Sequence, residues 1–325
     1  MENFWKDFPE VTGDLERVSA LLKRHLNQAP EPLRSDLSVL LKQQGKGLRP
    51  ALVLLAARSG SASVSIDELA ASAELLHLAS LIHDDVIDNS PLRRGRPSFQ
   101  AQVGLPKAVL YADLLFASCF QLVTRGVSRE SALAISKIVA LMSGAEIIQL
   151  NDRFVPQPSL RRSLRKTMGK TAAFLSLCLY SGAIESGQDA ATCQIYRRFG
   201  YCLGMAFQIQ DDILDFVSDE DSLGKPIMED LRQGVYTLPV VLALRQEAAT
   251  GPKTPLWDLL SRHKDEPKLQ NQIAGWIKTY QGLDQARQLA ELYTRRALEA
   301  LRKMPLDPPR KILAEVTQRL LNRNF

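Results

Sequence analysis

Apolar residues recur at three-and-four spacing along most of this 325-residue chain, and strand-like alternation is nearly absent. The pattern runs from Leu15 to Leu26, Ala51 to Arg58, Ile66 to Ile82, Pro106 to Val123, Ser131 to Leu150, Thr171 to Glu185 and Asp189 to Phe216. Such spacing gathers apolar side chains on one face of a helix, so the chain can bury a core only by packing helix on helix. The breaks carry turn residues, as in Ser59-Gly60-Ser61, Asn89-Ser90-Pro91, Pro156-Gln157-Pro158 and Thr250-Gly251-Pro252. Ser65 with Glu68 forms a capping-box signal for the helix that follows. No linker separates domains, so the expectation is an all-α fold: one large helical bundle forming a single domain over residues 1–325.

Two of these runs end in acidic clusters of one design, Asp84-Asp85-Val86-Ile87-Asp88 and Asp211-Asp212-Ile213-Leu214-Asp215. Residues four apart share a helix face, so Asp84 pairs with Asp88 and Asp211 with Asp215, and like charges at that spacing repel. A hard cation relieves the repulsion. Magnesium takes one or two carboxylates per ion and leaves other positions to water and phosphate oxygens, so the two clusters read as a divided cage for a diphosphate.

Cations surround the clusters in sequence. Arg93 and Arg94 follow the first one, and guanidinium groups suit bidentate capture of phosphate. Lys46 and Arg49 sit in Gly45-Lys46-Gly47-Leu48-Arg49-Pro50, a glycine-bearing turn before a helix. Gly169-Lys170-Thr171 looks like the end of a P-loop, but Leu164 stands where that motif needs glycine and no strand precedes it, so Lys170 is read as a point charge. Lys225 lies in a polar stretch from Val217 to Val235 that suits a flap over the site or, more commonly for such a stretch, an ordinary surface loop. His77 shares a stripe with Asp84, and Gln208 lies one turn before Asp211 and Asp212. Gly200 and Gly204 on the second acidic helix imply close packing against a neighbour or room for a ligand.

Composition removes other classes. Net charge is +5 with no run of five basic residues, so nucleic acid is not an expected partner. Cys119, Cys178, Cys193 and Cys202 show no CxxC spacing and sit in apolar contexts, as thiols of a reducing compartment do. The N-terminus lacks a secretory pattern, no apolar run reaches membrane-spanning length and no basic amphipathic helix stands out. A cytoplasmic protein with at most peripheral membrane contact is expected.

The ordered motifs GKGLRP (45–50), ELLHLASLIHDDVID (74–88), PLRRGRPS (91–98), AEIIQLNDRF (145–154), GKTA (169–172), GMAFQIQDDILDF (204–216) and GKPIMEDLRQGVYTLP (224–239) resemble the all-trans polyprenyl diphosphate synthases, from about Leu15 to the C-terminus. Class I terpene cyclases share paired acidic motifs, but their second one usually mixes Asn or Asp, Ser or Thr, and Glu. The resemblance implies a helical bundle around a central prenyl-binding cavity and a magnesium-dependent condensation of an allylic diphosphate, farnesyl diphosphate above all, with isopentenyl diphosphate. It implies that Asp84, Asp85, Asp88, Asp211, Asp212 and Asp215 bind Mg2+, and that Arg93, Lys170 and Lys225 contact the allylic diphosphate. Lys46, Arg49, His77 and Arg94 would hold isopentenyl diphosphate, with Thr171 and Gln208 lining the reaction centre. Two departures each remove a charge, Gly47 where arginine is common and Val235 where many members carry lysine.

Ala79, five places before Asp84, and Ser80 stand where short-chain members tend to carry aromatics. The expected product is therefore a hexaprenyl to octaprenyl chain for quinone side chains. Against this, Ala79 is also a good helix former, and Phe116 or Phe120 can close the tunnel. A homodimer is the family's usual assembly, and a catalytic subunit paired with a small regulatory one is the close variant. The alternatives are a short-chain synthase or a non-catalytic subunit, although the latter commonly loses one aspartate cluster and both are intact here.

Overall fold

The computed structural model describes residues 4–42, 45–61, 66–93, 95–156, 159–217, 228–251, 255–305 and 308–321. They form two compact units, one of residues 1–136, 177–197 and 303–313, the other of 137–176, 198–302 and 314–325. Among the described residues the only strands are the antiparallel pair β1 (Leu92–Arg93) and β2 (Arg96–Pro97). The all-α expectation is met.

The first unit is built around α4 (Ile66–Ile87). Leu69, Ala70, Ala71, Leu75, Leu76, Leu78, Ala79 and Ile82 are all buried, so this helix is apolar nearly all the way round. Such a helix must be covered on several sides. Helices α1 (Pro9–Leu26), α3 (Leu48–Ala57) and α6 (Leu105–Val123) cover it, with α2 (Leu33–Lys42) and α5 (Phe99–Val103) between them. Each leucine so enclosed contributes about 1.5–3 kcal/mol. Proline in the first turn of α1 and of α6 sits where its missing N–H is not needed.

The second unit takes most of α7 (Arg129–Asn151), then α8 (Leu160–Thr167), a π-helical turn (Met168–Ala172) and the start of α9 (Ala173–Glu185). To these it adds most of α10 (Ala190–Val217), α11 (Glu229–Arg232), α12 (Leu238–Thr250), α13 (Pro255–Arg262), α14 (Gln270–Thr279), α15 (Gly282–Arg302) and the end of α16 (Pro308–Leu321). Val240, Leu244, Leu256, Leu260, Ile273 and Ile277 make a core around Leu231 and Tyr236. Buried Glu247 accepts from the backbone N–H groups of Leu256 (2.6 Å) and Trp257 (3.1 Å), satisfying donors that open α13.

Two expectations need correction. Helices α6 (19 residues) and α7 (23 residues) are both long and apolar enough to cross a bilayer by length and composition. Lys107 and Asp113 in one, and Lys137 and Glu146 in the other, interrupt the apolar stretch and mask this in the sequence. Helix α8 is basic and amphipathic, with Arg161, Arg162, Arg165 and Lys166 among its eight residues. At eight residues it is about two turns long, too short for a sustained periodic signal in the sequence. Ser65 of the capping signal, Arg94, Lys225 and most of the flap stretch lie outside the described residues.

Candidate active site

Helix α4 carries the first cluster at its C-terminal end. It closes at Ile87, and Asp88 stays in register because its N–H donates to the Asp84 carbonyl (2.9 Å). Asn89 then turns left-handed at φ +48, a conformation asparagine tolerates better than most residues, and the helix stops. Asp84 and Asp88 are half-buried, whereas Asp85 is buried and turned into the protein. Arg93 on β1 donates its Nε to both Asp85 oxygens (2.9 Å each). Burial pushes the Asp85 carboxyl above the ordinary carboxylate range, and Arg93 opposes that push. Buried Gln100 donates to the carbonyls of Asp85 (2.8 Å) and Ser90 (3.0 Å), locking the turn after the cluster.

In the second unit all three aspartates lie within α10 and again include both half-buried and buried members, here one and two. Asp211 is half-buried; Asp212 and Asp215 are buried. Asp212 accepts from Gln208 Nε2 (3.1 Å) and from the Leu238 N–H (3.4 Å), and Asp215 from the Asp230 N–H (3.2 Å). Gln208 in turn accepts from Thr171 Oγ1 (2.6 Å), so two expected reaction-centre residues are brought together. The π-helical turn that presents Thr171 is of a kind frequent at functional sites. Two glycines hold it in place. A Cβ on Gly169 would lie 2.6 Å from the Ala145 Cβ, and one on Gly204 would lie 2.5 Å from the Ala172 Cα. Of the two expectations for Gly204, close packing is the observed one.

Lys170 in the same turn pairs with Glu146 (3.6 Å). In the first unit, Lys46 is exposed with its ammonium 4.9 Å from the Phe4 ring, and Trp5 Nε1 donates to the Lys46 carbonyl (2.6 Å). Arg49 in the first turn of α3 is half-buried, as is His77 on α4. Gly47 caps α3 at φ +64, a left-handed conformation that glycine adopts without the strain arginine would carry. Ala79 is fully buried, while Ser80 is half-buried and donates to the His77 carbonyl (2.8 Å). Phe116 lies against His83 (5.5 Å between centroids), and Phe120 is 42% exposed.

Sequence reasoning assigned no role to Glu146, Gln100 or Asp230, which hold Lys170, the turn after the first cluster and Asp215. Glu146 and Asp230 fall inside the AEIIQLNDRF and EDLRQG segments, which were the available signal.

The donors fit a hard divalent cation. Every side-chain ligand in the clusters is a carboxylate oxygen. Among the described residues no three acidic, His or Cys side chains close into an all-protein cage, and magnesium does not need one. The charge balance points the same way. Burial, with the negative charge of Asp230 and Asp211, pushes the Asp212 carboxyl up to about 7, against the hydrogen bonds from Gln208 and Leu238. Without a cation, the folded chain therefore keeps a proton that the unfolded chain releases near the ordinary value of 3.8, and Asp212 makes stability fall as pH rises through that window. Thermal denaturation in EDTA should give a Tm that declines between pH 5 and 7, and Asp212→Asn should flatten that slope. A slope unchanged in the variant would remove Asp212 from the account. Apparent magnesium affinity should rise over the same interval, since the ionised Asp212 adds negative charge beside the cation.

Residues 30–275 match the family described as polyprenyl synthetase. The chain is 33% identical over 310 residues to heptaprenyl diphosphate synthase component 2 of Bacillus subtilis, covering 94% of this chain and 88% of the relative. The chain belongs to the polyprenyl synthetase family. Its activity class is that of a prenyltransferase. The crystal structure of heptaprenyl diphosphate synthase from Staphylococcus aureus matches with a TM-score of 0.89 at 29% identity, covering 97% of this chain and 99% of that one. Geranylgeranyl pyrophosphate synthase from Lactobacillus brevis matches with a TM-score of 0.90 at 31% identity, covering 99% of this chain and all of that one. The fold is thus shared by relatives named for products of different length.

Proposed function

We propose that this prenyltransferase condenses an allylic diphosphate, farnesyl diphosphate first, repeatedly with isopentenyl diphosphate to a medium- or long-chain all-trans polyprenyl diphosphate for quinone side chains. The observation that carries the reading is the shared division of the clusters. In each, half-buried carboxylates (Asp84 and Asp88; Asp211) stand beside buried ones held by the protein's own donors. Of the six aspartates read as magnesium ligands, the half-buried ones would reach the ion, and Asp85, Asp212 and Asp215 would fix the helix ends that carry them.

Bound there, magnesium would supply positive charge to the diphosphate oxygens and make pyrophosphate a better leaving group. Arg93, Lys170 and Lys225 would add fixed positive charge to the same group, lowering the barrier to ionisation of the allylic C–O bond. Lys46, Arg49, His77 and Arg94 would hold isopentenyl diphosphate so that its double bond meets the allylic cation at contact distance. Thr171 and Gln208, fixed to each other and to Asp212, would present oxygen dipoles to that cation. Proton loss to the retained pyrophosphate restores a double bond, and apolar walls keep water from the cation.

Small residues at Ala79 and Ser80 support a long product. Assay with labelled isopentenyl diphosphate, farnesyl diphosphate, magnesium and detergent should give a ladder ending at hexaprenyl to octaprenyl chains. Ala79→Phe should shift the endpoint to fewer isoprene units. A wild-type ladder ending at the farnesyl or geranylgeranyl chain, or an unchanged spectrum in the variant, would overturn the length argument.

The chain acts as a homodimer in this reading, as one cytoplasmic catalytic domain over residues 1–325. Leu105, Leu110 and Phe120 on α6, and Leu133, Leu141, Ile147, Ile148 and Leu150 on α7, are exposed apolar side chains that support a helix-packed interface. The name component 2 of the Bacillus subtilis relative favours a second reading, a catalytic subunit joined by a small partner. Turnover by the purified chain alone supports the first; turnover only after a partner is added supports the second.

A further inference from the structure

A cavity of about 490 Å³ opens in the second unit beneath α8, lined also by α10, α12 and α15. It lies far down α10 from the acidic cluster. Tyr201, in its wall, precedes Asp212 by eleven residues, about 16 Å of helix.

Three exposed arginines line it, Arg161 and Arg165 from α8 and Arg245 from α12. Helix α8 sorts its basic residues. Arg162 and Lys166 pair with Asp152 (2.6 and 3.4 Å), which leaves Arg161 and Arg165, four apart and so on one face, for the cavity. Among the described residues no carboxylate pairs with Arg161, Arg165 or Arg245. Cations gathered on one cavity repel one another, and an anion shared between them relieves that repulsion. Planar guanidinium forks suit phosphate oxygens in particular.

The rest of the wall is leucine, methionine and tyrosine. The Tyr201 and Tyr293 rings meet edge to face (6.3 Å), and Arg296 lies 5.7 Å from the Tyr293 ring. Leu164 and Met168 complete this side. The volume falls in the range of small-molecule sites, about 300–1,000 Å³.

We propose that this cavity is a second, non-catalytic site for an amphiphile with a phosphate or diphosphate head. The head is held by Arg161, Arg165 and Arg245, and the hydrocarbon lies on Leu164, Met168, Tyr201 and Tyr293. The inference does not depend on the reading of the aspartate clusters.

Equilibrium dialysis with labelled farnesyl thiolodiphosphate in magnesium buffer tests it. The variant Arg161→Ala/Arg165→Ala/Arg245→Ala should bind one equivalent fewer than the wild type, with Tm and kcat unchanged. Two equivalents falling to one supports both this site and the aspartate site; one falling to none supports this site and counts against the other. Arg165→Ala alone should weaken the affected equivalent about tenfold or more. If variant and wild type differ instead only in co-flotation with phosphatidylglycerol vesicles, the site stands and its amphiphile is a lipid. Equal binding of both probes by the two proteins overturns the proposal. So does displacement of the affected equivalent by inorganic pyrophosphate at the same concentration as by the thiolodiphosphate, since the apolar wall would then contribute nothing.

Discussion

Replacing Asp84 or Asp211 with asparagine should lower turnover by about a hundredfold to a thousandfold while leaving the protein folded. The magnitude is that of removing one preorganised electrostatic contact to charge developing in a transition state. The two residues are half-buried, and each stands among like charges on its helix. In EDTA, losing one negative charge should hold the Tm or raise it slightly, because repulsion at helical spacing is relieved. In magnesium the variants should lack most of the stabilisation that the metal gives the wild type. Asp85→Asn should behave differently. The Arg93 ion pair with the buried Asp85 carboxylate is lost, so the Tm should fall as well as turnover. A set of variants in which Asp84, Asp85 and Asp211 behave alike would contradict the division of roles within the clusters.

Gly204→Ala should damage both the stability and the activity of the second unit. The added Cβ would stand 2.5 Å from the Ala172 Cα, which is backbone and cannot rotate away. Either α10 or the π-helical turn must move. Overpacking of this kind costs about 1–3 kcal/mol. The turn also carries Lys170 and Thr171, so the Thr171–Gln208 hydrogen bond should loosen and turnover should fall with stability. Thermal denaturation and steady-state kinetics on the same sample would check this, with Gly144→Ala as the control, since nothing lies within 4 Å of a Cβ there. Wild-type stability and rate in Gly204→Ala would mean that the close approach has no functional weight.

Much of the fold was legible because helical spacing is a local signal. The runs expected from Pro106 to Val123, Ser131 to Leu150 and Asp189 to Phe216 appear as α6, α7 and α10 with ends displaced by two residues at most. Helices α11 to α16 were not singled out. Part of the site was legible too. Spacing alone put Gln208 one turn before Asp212, and the observed hydrogen bond follows from it. What spacing could not reveal was long-range. The partners Lys170–Glu146 and Arg93–Asp85 depend on how chain segments return to one another. The π-helical turn at Met168–Ala172 packs closely against neighbouring helices at Gly169 and Gly204, an approach that no local pattern encodes. The buried state of Ala79 likewise depends on its neighbours on other helices, not on its own propensity.

The most direct test is magnesium dependence of condensation. Incorporation of labelled isopentenyl diphosphate into acid-labile polyprenyl diphosphate should be followed as magnesium is titrated into the EDTA-treated chain. The wild type should be inert without the metal and saturate with it, and Asp84→Asn and Asp211→Asn should stay near the metal-free rate. Incorporation that persists in excess EDTA, or that survives loss of both half-buried carboxylates, would contradict a diphosphate held through magnesium by these clusters.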